Sequence, residues 1–285
     1  MLGKNAFIYV VISIGLLFTA CNKEASLSDD TYTGSKVMIL GHRGMGTGYY
    51  KPHNTLDAIL PVLGIGADGS EMDIQLTKDS VLVLFHDYNL SPMTTCNGSI
   101  YQQNWEEVKQ CKYYSLHNNV FVNSVENLFS QIPNLTNMYF SFDSKIDGAA
   151  PDFQLYQKQF LRAIQRLCIK YQMSEHVMIE GDINLLLQAQ SLGLTNKLFL
   201  SADLSLQSIE DAYNNHFAGI SASINSLGAQ VPLAHQKGLL VMAWSPNNYS
   251  QNKETLSRQV DIIQSDDPMS LLKLLNRYNY EYIIP

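Results

Sequence analysis

Short apolar runs rich in β-branched and aromatic residues recur along the chain at 37–40, 70–75, 138–143, 176–180, 197–201, 218–222, 239–244 and 261–264. Between them the apolar positions fall three and four apart, the helical period, at 54–63, 153–171, 184–191, 206–213, 226–237 and 269–278. Several of these stretches follow Asp, Ser or Asn, whose side chains accept from the free N–H groups of a first helical turn. Eight strand-like runs alternating with helices predict an α/β fold, a (β/α)8 TIM barrel. One stretch, about 88–136, breaks the alternation with an extra strand-turn region and short helices, and reads as a small insertion after the second strand region. It carries Tyr101, Trp105, Tyr113, Tyr114 and Phe121, aromatic rings that either cover a ligand at the barrel mouth or pack the insertion onto the barrel.

The first residues follow a different pattern. Lys4 precedes an apolar stretch from Ala6 to Ala20 that ends Phe18-Thr-Ala-Cys21. It is short for a membrane span and small at the cut site, so residues 1–21 read as a secretory signal peptide. A cysteine just after the cut resembles a bacterial lipoprotein processing site, with Cys21 as the lipidated residue, although Phe18 stands where leucine is commoner. A plain signal peptide or an uncleaved anchor is the alternative. Residues 22–36 are polar and lack an apolar period, as expected of a flexible tether, and 37–285 are expected to form a single domain.

Composition narrows the partners. A chain of 285 residues with 46% hydrophobic content can bury one large core. Its 19 basic residues against 26 acidic ones, with no Lys/Arg cluster, offer nothing to a nucleic-acid backbone. No obligate protein partner is implied. Export permits disulfides; Cys96 and Cys111 flank a short segment, and the residues leave open whether they are bridged. Cys168 lies at helical spacing from Leu161 and Ile164, as a buried thiol would.

Chemistry-bearing residues sit at the ends of the strand-like runs. His42 and Arg43 follow the first run, Glu71 and Asp73 end the second, His86 and Asp87 follow Val83-Leu-Phe85, and Asp143 and Lys145 end the third. Histidine suits proton transfer at neutral pH because its reference pKa is about 6.5. Glu71 and Asp73 alternate along a strand and so share a face, and oxygen ligands of this kind favour a hard cation, Ca2+ or Mg2+. The guanidinium of Arg43 can hold two phosphate oxygens at once. His117, His176, His216 and His235 belong to no motif and read as ordinary surface or loop residues.

The segments Gly41-His-Arg-Gly44, Pro52-His-Asn-Thr-Leu56, Gly69-Ser-Glu-Met-Asp73, Val83-Leu-Phe-His-Asp87, Phe142-Asp-Ser-Lys145, Ala243-Trp244 with Asn247, and Ser265-Asp-Asp-Pro268 occur in the order seen in the glycerophosphodiester phosphodiesterase family, which the chain closely resembles. The resemblance implies His42 and His86 as the catalytic acid–base pair, without deciding which is the base. It implies Glu71, Asp73 and Asp143 as ligands of one divalent cation and Arg43 and Lys145 as phosphate contacts. Trp244 would meet the alcohol part of the substrate, a core role being the alternative. Two departures stand out. Asp143 replaces a glutamate and is one methylene shorter, as in the venom sphingomyelinase D branch, so a metal would sit closer to that strand or take a water between. His53 replaces the glutamate of Glu-Asn-Thr and removes a negative charge from the site.

The implied activity is hydrolysis of glycerophosphodiesters to an alcohol and sn-glycerol 3-phosphate, the neighbouring glycerol hydroxyl attacking first and water opening the resulting cyclic phosphate. Two alternatives remain: a phospholipase D-like activity on lysophospholipid or sphingomyelin, and a non-catalytic binding lipoprotein that has kept the barrel. Survival of both histidines and all three carboxylates argues against the last.

Overall fold

A computed structural model of the chain describes residues 29–32, 34–114 and 119–279. The segment expected to be a signal peptide, Cys21, most of the expected tether and His117 lie outside the described residues. Ten strands are present among those described: β1 Met38–Gly41, β2 Gly69–Leu76, β3 Leu82–Leu84, β4 Asn123–Ser124, β5 Tyr139–Ser144, β6 Val177–Gly181, β7 Lys197–Ser201, β8 Gly219–Ser223, β9 Leu240–Trp244 and β10 Ile262–Ser265. Eight of them run parallel in the order β1-β10-β9-β8-β7-β6-β5-β2, and β2 returns to β1 through Leu40–Gly69 and Gly41–Ser70, which closes the barrel. β3 and β4 extend β2 outward as antiparallel strands.

The helices are α1 Leu56–Gly64, α2 Trp105–Val108, α3 Val125–Gln131, α4 Phe153–Tyr171, α5 Ile183–Ser191, α6 Leu206–Asn214, α7 Val231–Gln236, α8 Tyr249–Ser257 and α9 Pro268–Leu274. Side chains of Ser124, Asp152, Asp182, Ser205, Asn248 and Asp267 accept from N–H groups in the first turns of α3, α4, α5, α6, α8 and α9. Such caps satisfy donors that have no partner inside the helix. The stretch 226–237, expected as one helix, is a 3-10 turn at Ile224–Ser226 followed by the shorter α7, which begins at the Val231-Pro232 step. Helix α8 has no apolar stripe: of its nine residues Asn252, Thr255 and Leu256 are buried, so periodicity does not reveal it.

Two apolar layers hold the barrel. Outward strand residues such as Ile39, Ile74, Phe140, Phe142, Ile179 and Val241 pack under the helices. Inside, Leu40, Met178, Phe199, Met242 and Ile262 fill the lumen, so its lower part is core and not a pore. The insertion has its own small core of Val83, Phe85, Leu90, Ile100, Val108, Tyr113 and Val122, and a Cys96–Cys111 disulfide ties it. That core settles most of the insertion's aromatic rings: Tyr113 is buried against Phe85, Trp105 packs beside the cluster, and Tyr101 lies edge-on to Tyr156. Tyr114 and Phe121 remain exposed.

At the amino-terminal floor of the barrel the segment before β1 folds back on itself through an Asp30–Lys36 bridge. Tyr32 stacks on His235 with centroids 4.8 Å apart. His235 is therefore not the surface residue expected: it is buried, and its Nε2 is 2.8 Å from Asp261 Oδ2. His216 is exposed as expected, and His176 is half-buried beside the Tyr139 ring. Cys168 is buried, and burial pushes its thiol up to about 11.

Candidate active site

Polar residues gather at the opposite, carboxyl end of the strands. On β2, β5, β6, β9 and β10 the residues that face the lumen alternate, and each series turns polar toward the mouth. Tyr139 gives way to Ser141 and Asp143, Met178 to Glu180, Met242 to Trp244, and Ile262 to Gln264. Glu71 and Asp73 occupy the same face of β2, in register with Ser141 and Asp143. One oxygen from each of Glu71, Asp73 and Asp143 lies within 4.8 Å of the others.

The first loop is built around close approaches. A Cβ on Gly41 would lie 1.9 Å from the Gly44 carbonyl oxygen, so the Gly41-His-Arg-Gly44 turn admits no side chain there. Arg43 itself is left-handed, with φ 56°, a conformation unfavourable for a residue with a Cβ. Its N–H donates to Glu71 Oε2 at 2.8 Å, and its carbonyl accepts from Asn54 N at 3.0 Å. Asn54 is also left-handed, φ 58°, which asparagine tolerates better than most residues. Fully buried, it donates from Nδ2 to Asp73 Oδ2 at 2.6 Å and accepts from Asp73 N at 3.0 Å, gripping that carboxylate's residue at both ends.

Each histidine is oriented by a carboxylate. His42 Nδ1 lies 2.9 Å from Asp266 Oδ1, and its Nε2 is 3.8 Å from Glu71 Oε2. His86 Nδ1 lies 2.6 Å from Asp87 Oδ1. With Nδ1 committed to a carboxylate in both rings, Nε2 is the nitrogen left for proton transfer. Burial opposes ionisation of Asp266, but the hydrogen bond and charge of His42 outweigh it and hold the carboxyl below the usual range.

Charge is crowded here. Burial, then the negative charges of Asp73, Asp143 and Glu180, push Glu71 well above the ordinary carboxylate range. Asp73 goes the other way: burial is overcome by Arg43, Lys145 and His86, with Asn54 adding a hydrogen bond. Arg43 Nε is 3.0 Å from Asp73 Oδ2, and Lys145 Nζ lies 3.3 Å from Asp73 Oδ1 and against Asp143. Although burial disfavours the ammonium, those two carboxylates raise the Lys145 pKa. Asp73 Oδ1 is nevertheless buried without a hydrogen bond. Three carboxylates converging on one point, one of them with a buried oxygen that accepts no hydrogen bond, fit a hard divalent cation. Glu180, deeper in the lumen, accepts from Ser141 and Gln264, and burial followed by the charge of Asp143 pushes it up to about 7.

His53 is half-buried and close enough to Arg43, His86 and His42 for their charges to lower its pKa after burial, against the pull of Asp73; its Nδ1 has no hydrogen bond. Trp244 is 40% exposed at the end of β9, on the face of Met242, so it borders the mouth and is not core. The sequence alone assigns no role to Asn54, Asp87, Asp266 or Glu180. Three of them stand inside the motifs quoted above, and Glu180, a carboxylate closing an apolar run, is the one that stands outside.

A closed parallel barrel with its charged residues at the carboxyl ends of the strands is the architecture of a barrel enzyme. Residues 42–270 match the Glycerophosphoryl diester phosphodiesterase family, and the chain belongs to it. A glycerophosphodiester phosphodiesterase of Caldanaerobacter subterraneus subsp. tengcongensis is 23% identical over 250 residues, 85% of this chain and 99% of the relative. The crystal structure of a glycerophosphodiester phosphodiesterase from Parabacteroides distasonis superposes with a TM-score of 0.72 at 18% identity, covering 84% of this chain and 97% of the other. An Oleispira antarctica phosphodiesterase, solved with its product sn-glycerol-3-phosphate, gives 0.68 at 20% identity over 84% of this chain and 96% of that one. The activity that goes with family and fold is glycerophosphodiester phosphodiesterase activity, that of a phosphoric diester hydrolase.

Proposed function

We propose that the chain hydrolyses glycerophosphodiesters to an alcohol and sn-glycerol 3-phosphate with the help of one divalent cation, Ca2+ or Mg2+, and that His42 and His86 carry the protons. The observation that carries this reading is the meeting, at one barrel mouth, of the Glu71/Asp73/Asp143 cluster with two histidines whose Nδ1 atoms are both tied to carboxylates. A cation bound by the three carboxylates would supply positive charge to the phosphate oxygens. Arg43 and Lys145, both at Asp73 beside the carboxylate cluster, are placed to take further phosphate oxygens. One histidine Nε2 removes the proton of the attacking hydroxyl, and the other delivers a proton to the departing alcohol oxygen. Trp244 at the rim offers an apolar face to that alcohol.

The product found with the Oleispira relative supports the choice of glycerol 3-phosphate as the retained half. The experiment is product analysis on glycerophosphocholine after metal removal and resupply. Release of choline and glycerol 3-phosphate only with added cation is expected; release of phosphocholine, or full turnover in chelator, contradicts the proposal. The same assay on lysophosphatidylcholine separates it from a phospholipase D-like activity.

We further read residues 1–21 as a bacterial lipoprotein signal with Cys21 as the anchor, which would hold the exported enzyme at a membrane on its periplasmic or cell-surface side. Cys21→Ala should abolish lipid labelling and release active enzyme from the membrane fraction; unchanged membrane association would place the anchor elsewhere.

A further inference from the structure

Basic residues cluster in space where the linear sequence shows no cluster. Helix α4 contains no acidic residue, and Lys158, Arg162, Arg166 and Lys170 recur every fourth position along it. That spacing places all four on one exposed face over about 18 Å of helix. Lys170 is paired with Glu126 across the surface. Arg162 reaches only the neutral Gln165 side chain and the Leu192 carbonyl. Among the described residues the side chains of Lys158 and Arg166 have neither a hydrogen bond nor an ion pair.

Large apolar side chains stand on the same face, where a purely solvated helix would carry polar ones. Ile169 is 67% exposed and Leu155 49%, and Leu187 on the neighbouring α5 adds another at 40%. Lys158, Arg162 and Arg166, with Leu155, also line a shallow groove of about 250 Å³.

We propose that the outer face of α4 is a docking surface for an anionic lipid bilayer. Charge complementarity selects the partner: the chain as a whole carries −7, so a helix face with four cations, one of them paired with Glu126, and no acidic residue of its own stands out from its surroundings and attracts anionic headgroups there. The interleaved leucines and isoleucine require an apolar phase beyond those headgroups, which a nucleic acid or an acidic protein segment does not offer. A helix of 19 residues is about 28 Å long, enough to lay this row of side chains along a membrane surface. Because α4 lies on the barrel wall, such docking leaves the mouth opening along the membrane surface and not into it. The inference is independent of the catalytic reading and of the lipid anchor.

The test uses the chain from Asn22 onward, which contains the entire closed barrel and lacks Cys21. Co-sedimentation is measured with vesicles of phosphatidylcholine alone and of phosphatidylcholine mixed with phosphatidylglycerol. Binding is expected only with the anionic lipid and should fall steeply with salt. The triple variant K158Q/R162Q/R166Q should bind about 10²-fold more weakly, at roughly one cation's contribution for each charge removed. L155S/I169S, which keeps every charge, should lose about tenfold. All these residues are exposed and lie outside the site, so glycerophosphocholine turnover and melting temperature should stay as in the parent. Equal binding to neutral vesicles, unchanged binding in the triple variant, or equally tight retention by soluble heparin would overturn the proposal.

Discussion

Two histidine–aspartate pairs sit at opposite ends of this barrel with almost the same bond, 2.9 Å for His42–Asp266 at the mouth and 2.8 Å for His235–Asp261 at the floor. A carboxylate partner therefore does not make a histidine catalytic. What differs is the surroundings. At the floor the ring is capped by Tyr32 and its side chain is 2% exposed, while Asp261 also accepts from the Val241 N–H, so the pair staples α7 and β10 to β9. At the mouth the free nitrogen of His42 faces a cluster of carboxylates, and the ring keeps 11% of its surface open. One pair closes the core; the other holds a nitrogen at the open mouth beside the carboxylate cluster.

The largest effects should separate the two pairs. His42→Ala and His86→Ala should each lower kcat by about 10²-fold or more while leaving the melting temperature almost unchanged. His235→Ala should do the reverse: it leaves the buried Asp261 without its partner and costs on the order of 3 kcal/mol of stability, with kcat within about twofold of the parent. Thermal melts beside steady-state kinetics check both. A large kcat loss in the folded His235 variant would erase the contrast.

Asn54 sharpens the comparison, since it is a buried staple inside the mouth itself. Asn54→Ala removes both hydrogen bonds to Asp73 and should cost about 2 kcal/mol of stability and weaken cation binding about tenfold or more. Calorimetric titration with Mg2+ and Ca2+ reads the second effect, which a merely structural role would not produce.

Glu180 gives a pH test of the mouth's electrostatics. Its folded pKa, pushed up to about 7 by burial and then by Asp143, lies above the unfolded value of about 4.3. The protonated form is thus favoured by folding: the contribution is fully present below about pH 4 and is lost as pH rises through 7, on the order of 3 kcal/mol in all. In chelator, Glu180→Gln should flatten that decline, because an amide oxygen can still accept from Ser141 and Gln264. Parallel denaturation curves for parent and variant from pH 5 to 8 would contradict this. The most local expected effect is in the insertion: reducing Cys96–Cys111, separated by 15 residues, should cost up to about 3 kcal/mol by freeing a short loop, with the barrel's own transition little changed.

The barrel was legible in the sequence because its eight parallel strands are buried on both faces through their middles and most read as compact apolar runs between helical patterns. Helix α8 was not, because it packs through Asn252 and Thr255 and shows no apolar stripe. In the site, Glu71, Asp73 and Asp143 could be grouped because alternation on a strand fixes which face a side chain takes. Partnerships across the fold could not. Asp266 is 224 residues from the histidine it orients, and His235 finds Asp261 through a turn of the barrel floor that no local pattern encodes. The basic face of α4 was hidden for a related reason, since its charges are dispersed in sequence and gathered only by the helical repeat.

The central claim, that the carboxylate cluster and the two histidines act together on a glycerophosphodiester, is tested most directly by measuring glycerol 3-phosphate release from glycerophosphocholine by the metal-stripped enzyme as Mg2+ or Ca2+ is added back, with Asp73→Asn alongside. Turnover that rises from near zero to saturation in the parent, and fails to rise at the same cation concentrations in Asp73→Asn, is the result predicted. Full turnover in the stripped parent, or identical cation dependence in the two proteins, would contradict it.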